Sequence, residues 1–586
     1  MTKNTFAEYF FKSTACYSDL VALLDPETHV SLTFGDLKLK TNSFVKVLQE
    51  IGVKKNEKIG TFAGNSVEFL AFCLAANQIG TVICPLNPAY KRYEFENYFE
   101  KAKVKWILTE AEYVEKLKNA DFVAAKGKNL ILLPSGQDPN HNTEELKVIF
   151  SEQTSDEEED TVEGPGDTVK SPKYTVEGPE DTVKSSKDTV KSPKDTVKSS
   201  KYTVKDEITP EDEAMIFFSS GTTGPPKGVI LTQKSLISHL SIANEIQFSS
   251  NSDFVTLTNK DTVHGVLPFF HAGGFLTVFM MLVQGAKVVI NRKFDENKFF
   301  EIIEKYQVTV LNVVPPILEL LAFSPKADPK RNLNSLRFIY VGAAPVRKEL
   351  ENVIFRKLWN VQLIQLYGST ESGVLVFMVP KKSKFQEQLA TKPGTCGIPL
   401  PGVQTKIYAP DAAGKDLRYG ELLLKTSTQM GGYIDGSIDG VRDGSIDGVF
   451  DEDGFYRTGD LVRVDSDGFY YIVGRVKEMM KVRGWQVSPY ELEEALRQKF
   501  SQIVDVGVVG LPDEKDGEQP AAVVVLAPGT MLSAGEIEAF VSENFVSYKR
   551  LTAGVLFLDS LPRTPSGKLD RRRLKEMLLE LSEFDE

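Results

Sequence analysis

Between Lys58 and Glu110 the chain alternates short apolar runs with helix-like patterns: KIGTFAG, SVEFLAFCLAANQIG, TVICPLN, EFENYFEKAK and VKWILTE follow one another almost without interruption. A strand-length run, a helix-length run and another strand-length run in succession specify βαβ units, hence a sheet with parallel strands covered by helices. The rhythm resumes after Ile208, with AMIFFSS, AKVVINR, VTVLNVV and LRFIYVG as strands and LTQKSLISHLSIANEI and KFFEIIEKY as helices. The fold class is therefore α/β. From Val476 the pattern shifts to short strands and helices (SPYELEEALRQKF, IVDVGVVGL, AAVVVLAPG, LDRRRLKEMLLEL), enough for a small α+β domain of its own. We expect a large N-terminal domain over residues 1–474, built of βαβ-type sheets flanked by helices, and a small C-terminal domain over 475–586.

Two repeats interrupt this plan. From Asp160 seven-residue units such as DTVKSPK and DTVKSSK recur, with valine as the one regular apolar position. A coiled coil needs two apolar positions per heptad, and proline, glycine and balanced charge leave too little to bury, so residues 156–207 are expected to form a disordered insertion in a surface loop. A second repeat, DGSIDGV, occurs twice over residues 435–449. The EF-hand spacing would need an acid where Val449 stands, so an expanded turn is the expectation.

Composition excludes several classes. With 586 residues, 41% hydrophobic content and a formal charge of −12, a large core is available and general nucleic-acid binding is disfavoured. Cys16, Cys73, Cys84 and Cys396 lack C-x-x-C spacing, which argues against a zinc site or a disulfide framework. MTKNTFAEYFFKS lacks the apolar core of a secretory signal, FLTVFMMLVQGAKVVI is too broken to span a bilayer, and the chain ends SEFDE without a peroxisomal tripeptide. The expectation is a cytoplasmic protein with no transmembrane segment.

The stretch Phe217 to Val229, FFSSGTTGPPKGV, supplies glycines for close backbone approach, hydroxyl donors and one lysine, a combination suited to phosphate. It is not a P-loop. No Ser or Thr follows Lys227, and Pro225 and Pro226 favour extended or turn backbone there instead of a helix start.

Five further stretches follow in order: YVGAAP at 340–345, YGSTESG at 367–373, YRTGD at 456–460, VGRVKEMMKVRGWQVSPYELE at 473–493 and PRTPSGKLD at 562–570. Together with SSGTTGPPKG they resemble the adenylate-forming superfamily of acyl-CoA synthetases, beetle-type luciferases and peptide-synthetase adenylation domains, most closely the 4-coumarate and fatty-acid CoA ligases. The resemblance spans the chain apart from the repeat insertion. It implies that a carboxylate attacks the α-phosphate of ATP to give an acyl-adenylate and pyrophosphate, and that the thiol of coenzyme A then displaces AMP.

The residues suit that chemistry. A carboxylate is ionised at neutral pH and needs no general base; the difficulty is bringing an anion to a polyanion, which calls for cations and donors. The resemblance implies that Ser219, Ser220, Gly221, Thr222, Thr223, Gly224 and Lys227 clamp the β- and γ-phosphates. It places Thr370 at the α-phosphate, Gly368 and Ser369 among the ATP-binding residues, Glu371 on Mg²⁺, and Tyr367 against adenine opposite Gly342, Ala343 and Ala344. Asp460 and Arg475 would hold the ribose, and Lys568 would bridge carboxylate and α-phosphate. Lys477 falls at the hinge about which the small domain rotates as a lid, bringing Lys481, Gly484, Trp485 and Gln486 to the thiol side. His271, in LPFFHAGGF, would line the acyl pocket.

The sequence thus points to an ATP- and Mg²⁺-dependent acyl-CoA synthetase acting on a fatty or aryl-propenoic acid, with small molecules as its partners. A luciferase-like oxygenase shares every motif, and a non-catalytic scaffold with a vestigial nucleotide site is the alternative outside enzymology. A peptide-synthetase module is disfavoured, because too few residues follow Lys568 for a carrier domain.

Overall fold

The computed structural model describes residues 5–118, 129–134, 146–149, 207–219, 227–250, 252–327, 333–346, 348–358, 360–381, 384–385, 389, 391–409, 418–434, 449–564 and 568–582. Both repeats, and the calls for a disordered insertion at 156–207 and an expanded turn at 435–449, lie outside these residues except for Glu207 and Val449.

The α/β expectation holds, with two large mixed sheets in the N-terminal part. In one, the strands Val21–Leu24, Lys287–Ile290, Thr262–Gly265, Val310–Val313, Phe338–Val341 and Gln362–Ser369 lie side by side in parallel, with antiparallel strands at both edges. In the other, Glu213–Ser219, Val82–Leu86, Lys58–Phe62, Trp106–Thr109 and Asn129–Leu132 are parallel neighbours, and Lys227–Thr232 folds back antiparallel on Glu213–Ser219.

One apolar cluster joins residues of both sheets. The helix Val67–Gln78 belongs to it, and every residue from Val67 to Asn77 is buried, as its all-round apolar sequence requires. The broken apolar window after Phe275 becomes the helix Ala272–Leu282, ending before Gly285 at φ 87° and the strand Lys287–Ile290. Among the described residues no helix is long and apolar enough to cross a membrane. The four cysteines are free.

A four-stranded antiparallel sheet (Gln404–Tyr408, Tyr419–Lys425, Tyr456–Val464, Tyr470–Arg475) leads into the C-terminal part. There Ile503–Asp513 and Gly517–Leu526 form a long hairpin, covered by Pro489–Lys499 and Arg571–Ser582. This part has apolar clusters of its own, one built around Leu492, Val508, Val524 and Ile537. The short connection Val476–Glu478 is a single 3₁₀ turn.

Candidate active site

The site is assembled where parallel strands end. Phe338–Val341 runs into Gly342 and Ala343, and Ala343 has φ 72°. A non-glycine residue held in the left-handed region marks a turn fixed by its surroundings. Val346 N–H, four residues from Gly342, donates to Gln365 Oε1 at 3.2 Å, and Gln365 Nε2 donates to Glu351 Oε1 at 2.6 Å. Burial raises Glu351 to about 7.

The next strand, Gln362–Ser369, turns back into Gly373–Met378, with Ser369 paired to Gly373. Ser369 N–H donates to Ser372 Oγ at 3.2 Å and Ser372 N–H to Ser369 Oγ at 3.1 Å, a reciprocal tie that leaves Thr370 and Glu371 at the tip. Gly373 closes the turn at φ 88°, where a Cβ would come within 2.3 Å of Thr428 Oγ1.

Asp460 is the hub. It lies inside the strand Tyr456–Val464, so the TGD segment is a strand with Gly459 at φ 70° and not a free turn. Thr458 Oγ1 donates to Leu422 O at 2.7 Å and accepts Asp460 N–H at 3.0 Å, while Glu421 accepts Gly459 N–H at 3.2 Å and pairs with Arg457. The buried Asp460 carboxylate then receives Tyr367 Oη at 2.6 Å on one oxygen and Arg475 Nε at 2.9 Å on the other. Its register partner across the sheet is Arg475. A carboxylate has about four acceptor positions, so two remain for paired sugar hydroxyls. The Tyr367 ring stacks on Phe377 at 5.5 Å, and burial together with Asp460 drives its phenol well above the ordinary range.

Lys568, on irregular backbone as expected from its prolines and glycine, is half-buried. Burial, then Arg475, lowers its pKa, against the opposing pull of Asp460, Glu371 and Glu478. The chain thus brings Lys568 into the electrostatic field of residues almost a hundred or more positions upstream.

Other expected residues fall around this centre. Lys227 opens an extended strand, as its two prolines imply, and its Nζ sits 4.6 Å from the Tyr433 ring centre. Ser219 pairs with it across the hairpin; Ser220, Gly221, Thr222, Thr223 and Gly224 lie outside the described residues. His271 precedes the helix Ala272–Leu282, its ring 4.8 Å from that of Phe270, and burial lowers it to about 4, so it is neutral at pH 7.

The Lys481 to Gln486 segment belongs to a different sheet from Asp460. Lys481 is exposed on a hairpin with Gly484 at φ 81°; its N–H donates to Glu518 at 2.8 Å, and Trp485, 59% exposed, stacks on Tyr548 at 5.1 Å. Lys477 lies in the connecting 3₁₀ turn, whose Glu478 is bonded by Arg571 at 2.9 Å.

Glu371 and substrate phosphates are a donor set that Mg²⁺ accepts, since that ion usually takes one or two carboxylates plus phosphate oxygens. Among the described residues there is no cluster of three or more His, Cys, Asp or Glu that could hold a metal ion.

Glu421, Thr428 and His239 support this site, and no motif exposed them. Glu421 left the faint signal of an acid opening an apolar strand, GELLLK; the others become visible only when distant segments meet.

Buried carboxylate, basic partners and a hydroxyl-bearing turn at parallel strand ends define a nucleotide-handling α/β enzyme. The chain belongs to the AMP-binding enzyme family, whose model matches residues 10–434, with the AMP-binding enzyme C-terminal domain matching 491–568. It is 31% identical to 4-coumarate–CoA ligase 3 of Arabidopsis thaliana over 97% of this chain and 91% of that one. It is 32% identical to 4-coumarate–CoA ligase 1 of Petroselinum crispum, covering 97% and 93%. The fold is similar to that of ATP-bound MatB from Rhodopseudomonas palustris, with a TM-score of 0.75 and 21% identity over 97% of this chain and 98% of that one.

Proposed function

We propose that this protein is an AMP-forming acyl-CoA synthetase acting on a carboxylic acid of the fatty or aryl-propenoic class. The observation that carries the reading is the buried Asp460 carboxylate held by Tyr367 at 2.6 Å and Arg475 at 2.9 Å, with Lys568 in the electrostatic field of Asp460, Glu371 and Arg475. A carboxylate oxygen of the acid attacks the α-phosphorus, and the bond to the bridging oxygen breaks with pyrophosphate leaving. Lys568 offsets the repulsion between the two anions. Two unit charges 4 Å apart cost about 4 kcal/mol at an effective dielectric of 20, so one well-placed cation changes the barrier by that order.

Asp460, oriented by Tyr367 and Arg475, accepts the ribose hydroxyls; Thr370 donates to the α-phosphate; Lys227 and the glycine-rich segment hold the departing phosphates. Glu371 would hold Mg²⁺, which when bound neutralises charge on the phosphates. In the second step the thiol sulfur attacks the acyl carbon, the bond to AMP breaks, and the thiol proton passes to solvent. Lys481, Gly484, Trp485 and Gln486 serve this step after the small domain turns about Lys477.

The test is product identification. Incubation with ATP, Mg²⁺, coenzyme A and a panel of acids should yield AMP, pyrophosphate and an acyl thioester in equal amounts. Formation of ADP and phosphate, or AMP without thioester from every acid, contradicts the reading.

A further inference from the structure

The connection from the antiparallel sheet into the small domain runs through Arg475, Val476, Lys477 and Glu478, and its ends differ from its middle. Arg475 closes the strand Tyr470–Arg475 and is joined to Asp460 both in register across the sheet and through Nε at 2.9 Å. Val476 and Lys477 are exposed. Glu478 is enclosed again, its side chain 18% exposed, and accepts Arg571 Nε at 2.9 Å. The turn itself is closed by Met479 N–H on Val476 O at 3.4 Å, long for such a bond. An arginine–carboxylate pair thus stands on each side of an exposed two-residue stretch.

Arg571 opens the helix Arg571–Ser582, three positions after Lys568. All three guanidinium nitrogens are engaged: Nε on Glu478, Nη1 on Glu493 Oε1 and on Val508 O at 3.0 Å, and Nη2 on Glu493 Oε2 at 3.0 Å. Glu493 is buried and accepts Val508 N–H at 2.8 Å. This planar fork, which a lysine cannot reproduce, ties the connection, the helix Pro489–Lys499 and the strand Ile503–Asp513 to the segment bearing Lys568. That segment is held in turn. Lys568 N–H donates to Thr564 Oγ1 at 3.2 Å, Thr564 N–H to Lys568 O at 2.8 Å, and Asp570 N–H to Pro562 O at 2.9 Å.

Glu478 also stands with Asp460 and Glu371 among the anions whose field Lys568 feels, and Arg475 is the cation among them. The carboxylate that anchors the connection is therefore close enough to act on the residue that the connection must deliver.

We propose that Glu478 and Arg571 are positioning residues for Lys568: their pair anchors the small domain's end of the connection, so that turning falls on Val476 and Lys477 and Lys568 reaches the nucleotide in one register. The inference rests on the synthetase reading and on the turn about Lys477 given above. A longer pivot multiplies the orientations open to the domain that carries Lys568, and misplacing a reacting group by about 1 Å costs up to about a hundredfold in rate. Lys481 depends less on the pair, because its N–H is held by Glu518 and the thiol step does not call on Lys568.

Arg571→Ala would leave Glu478 and Glu493 without their cation and endanger folding, so the test starts from Glu478→Gln, in which Arg571 keeps Glu493 and Val508. Two half-reactions are measured on the full-length protein with 4-hydroxycinnamate, cinnamate and a medium-chain fatty acid. One is acid-dependent exchange of labelled pyrophosphate into ATP; the other is thioester formation from the prepared acyl-adenylate and coenzyme A. Glu478→Gln should lower kcat for exchange at least about tenfold with KM for ATP unchanged, since Asp460 still holds the ribose, and leave the thiol half-reaction within about twofold. Glu478→Asp, which keeps the charge, should recover part of the exchange. Arg571→Lys should resemble Glu478→Gln, and the double variant should be no worse than either alone, as expected of residues acting as a pair. Unchanged exchange in Glu478→Gln, equal loss of both half-reactions, or additive losses in the double variant overturn the inference. No exchange by the folded wild type with any of the acids removes the synthetase reading itself, an outcome distinct from equal exchange in wild type and variant.

Discussion

The Tyr367 hydroxyl donates to Asp460 Oδ2 at 2.6 Å, joining the strand Gln362–Ser369 of a large mixed sheet to a strand of the antiparallel sheet that precedes the small domain. The bond fixes the carboxylate before any nucleotide arrives. Tyr367→Phe keeps the ring on Phe377 but frees one oxygen. The expected result is a several-fold rise in KM for ATP with a smaller change in kcat, and a loss of about 1 kcal/mol in stability, read by steady-state kinetics and denaturant unfolding. An unchanged KM would show that the tie does not orient the ribose acceptor.

Lys568 supplies a pH signature. Burial and Arg475 favour its neutral form, so the cation required for adenylation is lost as pH rises through a value below the ordinary lysine range. The free-enzyme profile of kcat/KM for exchange should show an alkaline limb there. Lys568→Arg, slower but permanently charged, should lack that limb. A limb that persists in the variant belongs to another group.

Much of this was legible in the sequence because it is local. The βαβ rhythm and the prolines before Lys227 reflect steric and burial rules acting over a few residues, and the elements formed where expected. The neighbourhood of Lys568, by contrast, could be assigned only through resemblance, since a loop lysine has no local mark of function. His239 sits in the helix Gln233–Phe248, and its approach to Gly373, more than a hundred positions away, leaves no mark in the local sequence. The TGD segment shows the limit of turn chemistry: its glycine adopts positive φ, yet pairing with Tyr419–Lys425 draws it into a strand.

Glu351 predicts a pH dependence of stability. Burial raises it to about 7, so between the ordinary carboxylate range and pH 7 the folded chain holds a proton that the unfolded chain has released. Stability contributed by this group is full below that range, falls as pH rises through it, and is level above about pH 8. Glu351→Gln should therefore be more stable than wild type at pH 8, by about 1–3 kcal/mol, and close to it at pH 4. Denaturant midpoints at the two pH values test this, and equal differences at both would contradict it.

Two backbone substitutions should act in opposite directions. Gly373→Ala forces φ 88° on a residue with a Cβ and drives that atom against Thr428, so a loss well above the ~1–2 kcal/mol of left-handed strain alone is expected, with adenylation impaired. Ala343→Gly relieves a φ of 72° and should leave stability unchanged or raise it by up to about 1 kcal/mol. Thermal unfolding of both reads the result.

The central claim is that one basic residue of the small domain serves acid activation while another serves the thiol step. Pyrophosphate exchange and thioester formation, measured side by side on Lys568→Ala and Lys481→Ala, test it most directly. Lys568→Ala should suppress exchange by about 10²-fold or more, whereas Lys481→Ala should keep exchange and lose thioester formation. Equal loss of both activities in both variants, or no acid-dependent exchange in the folded wild type, would contradict the account.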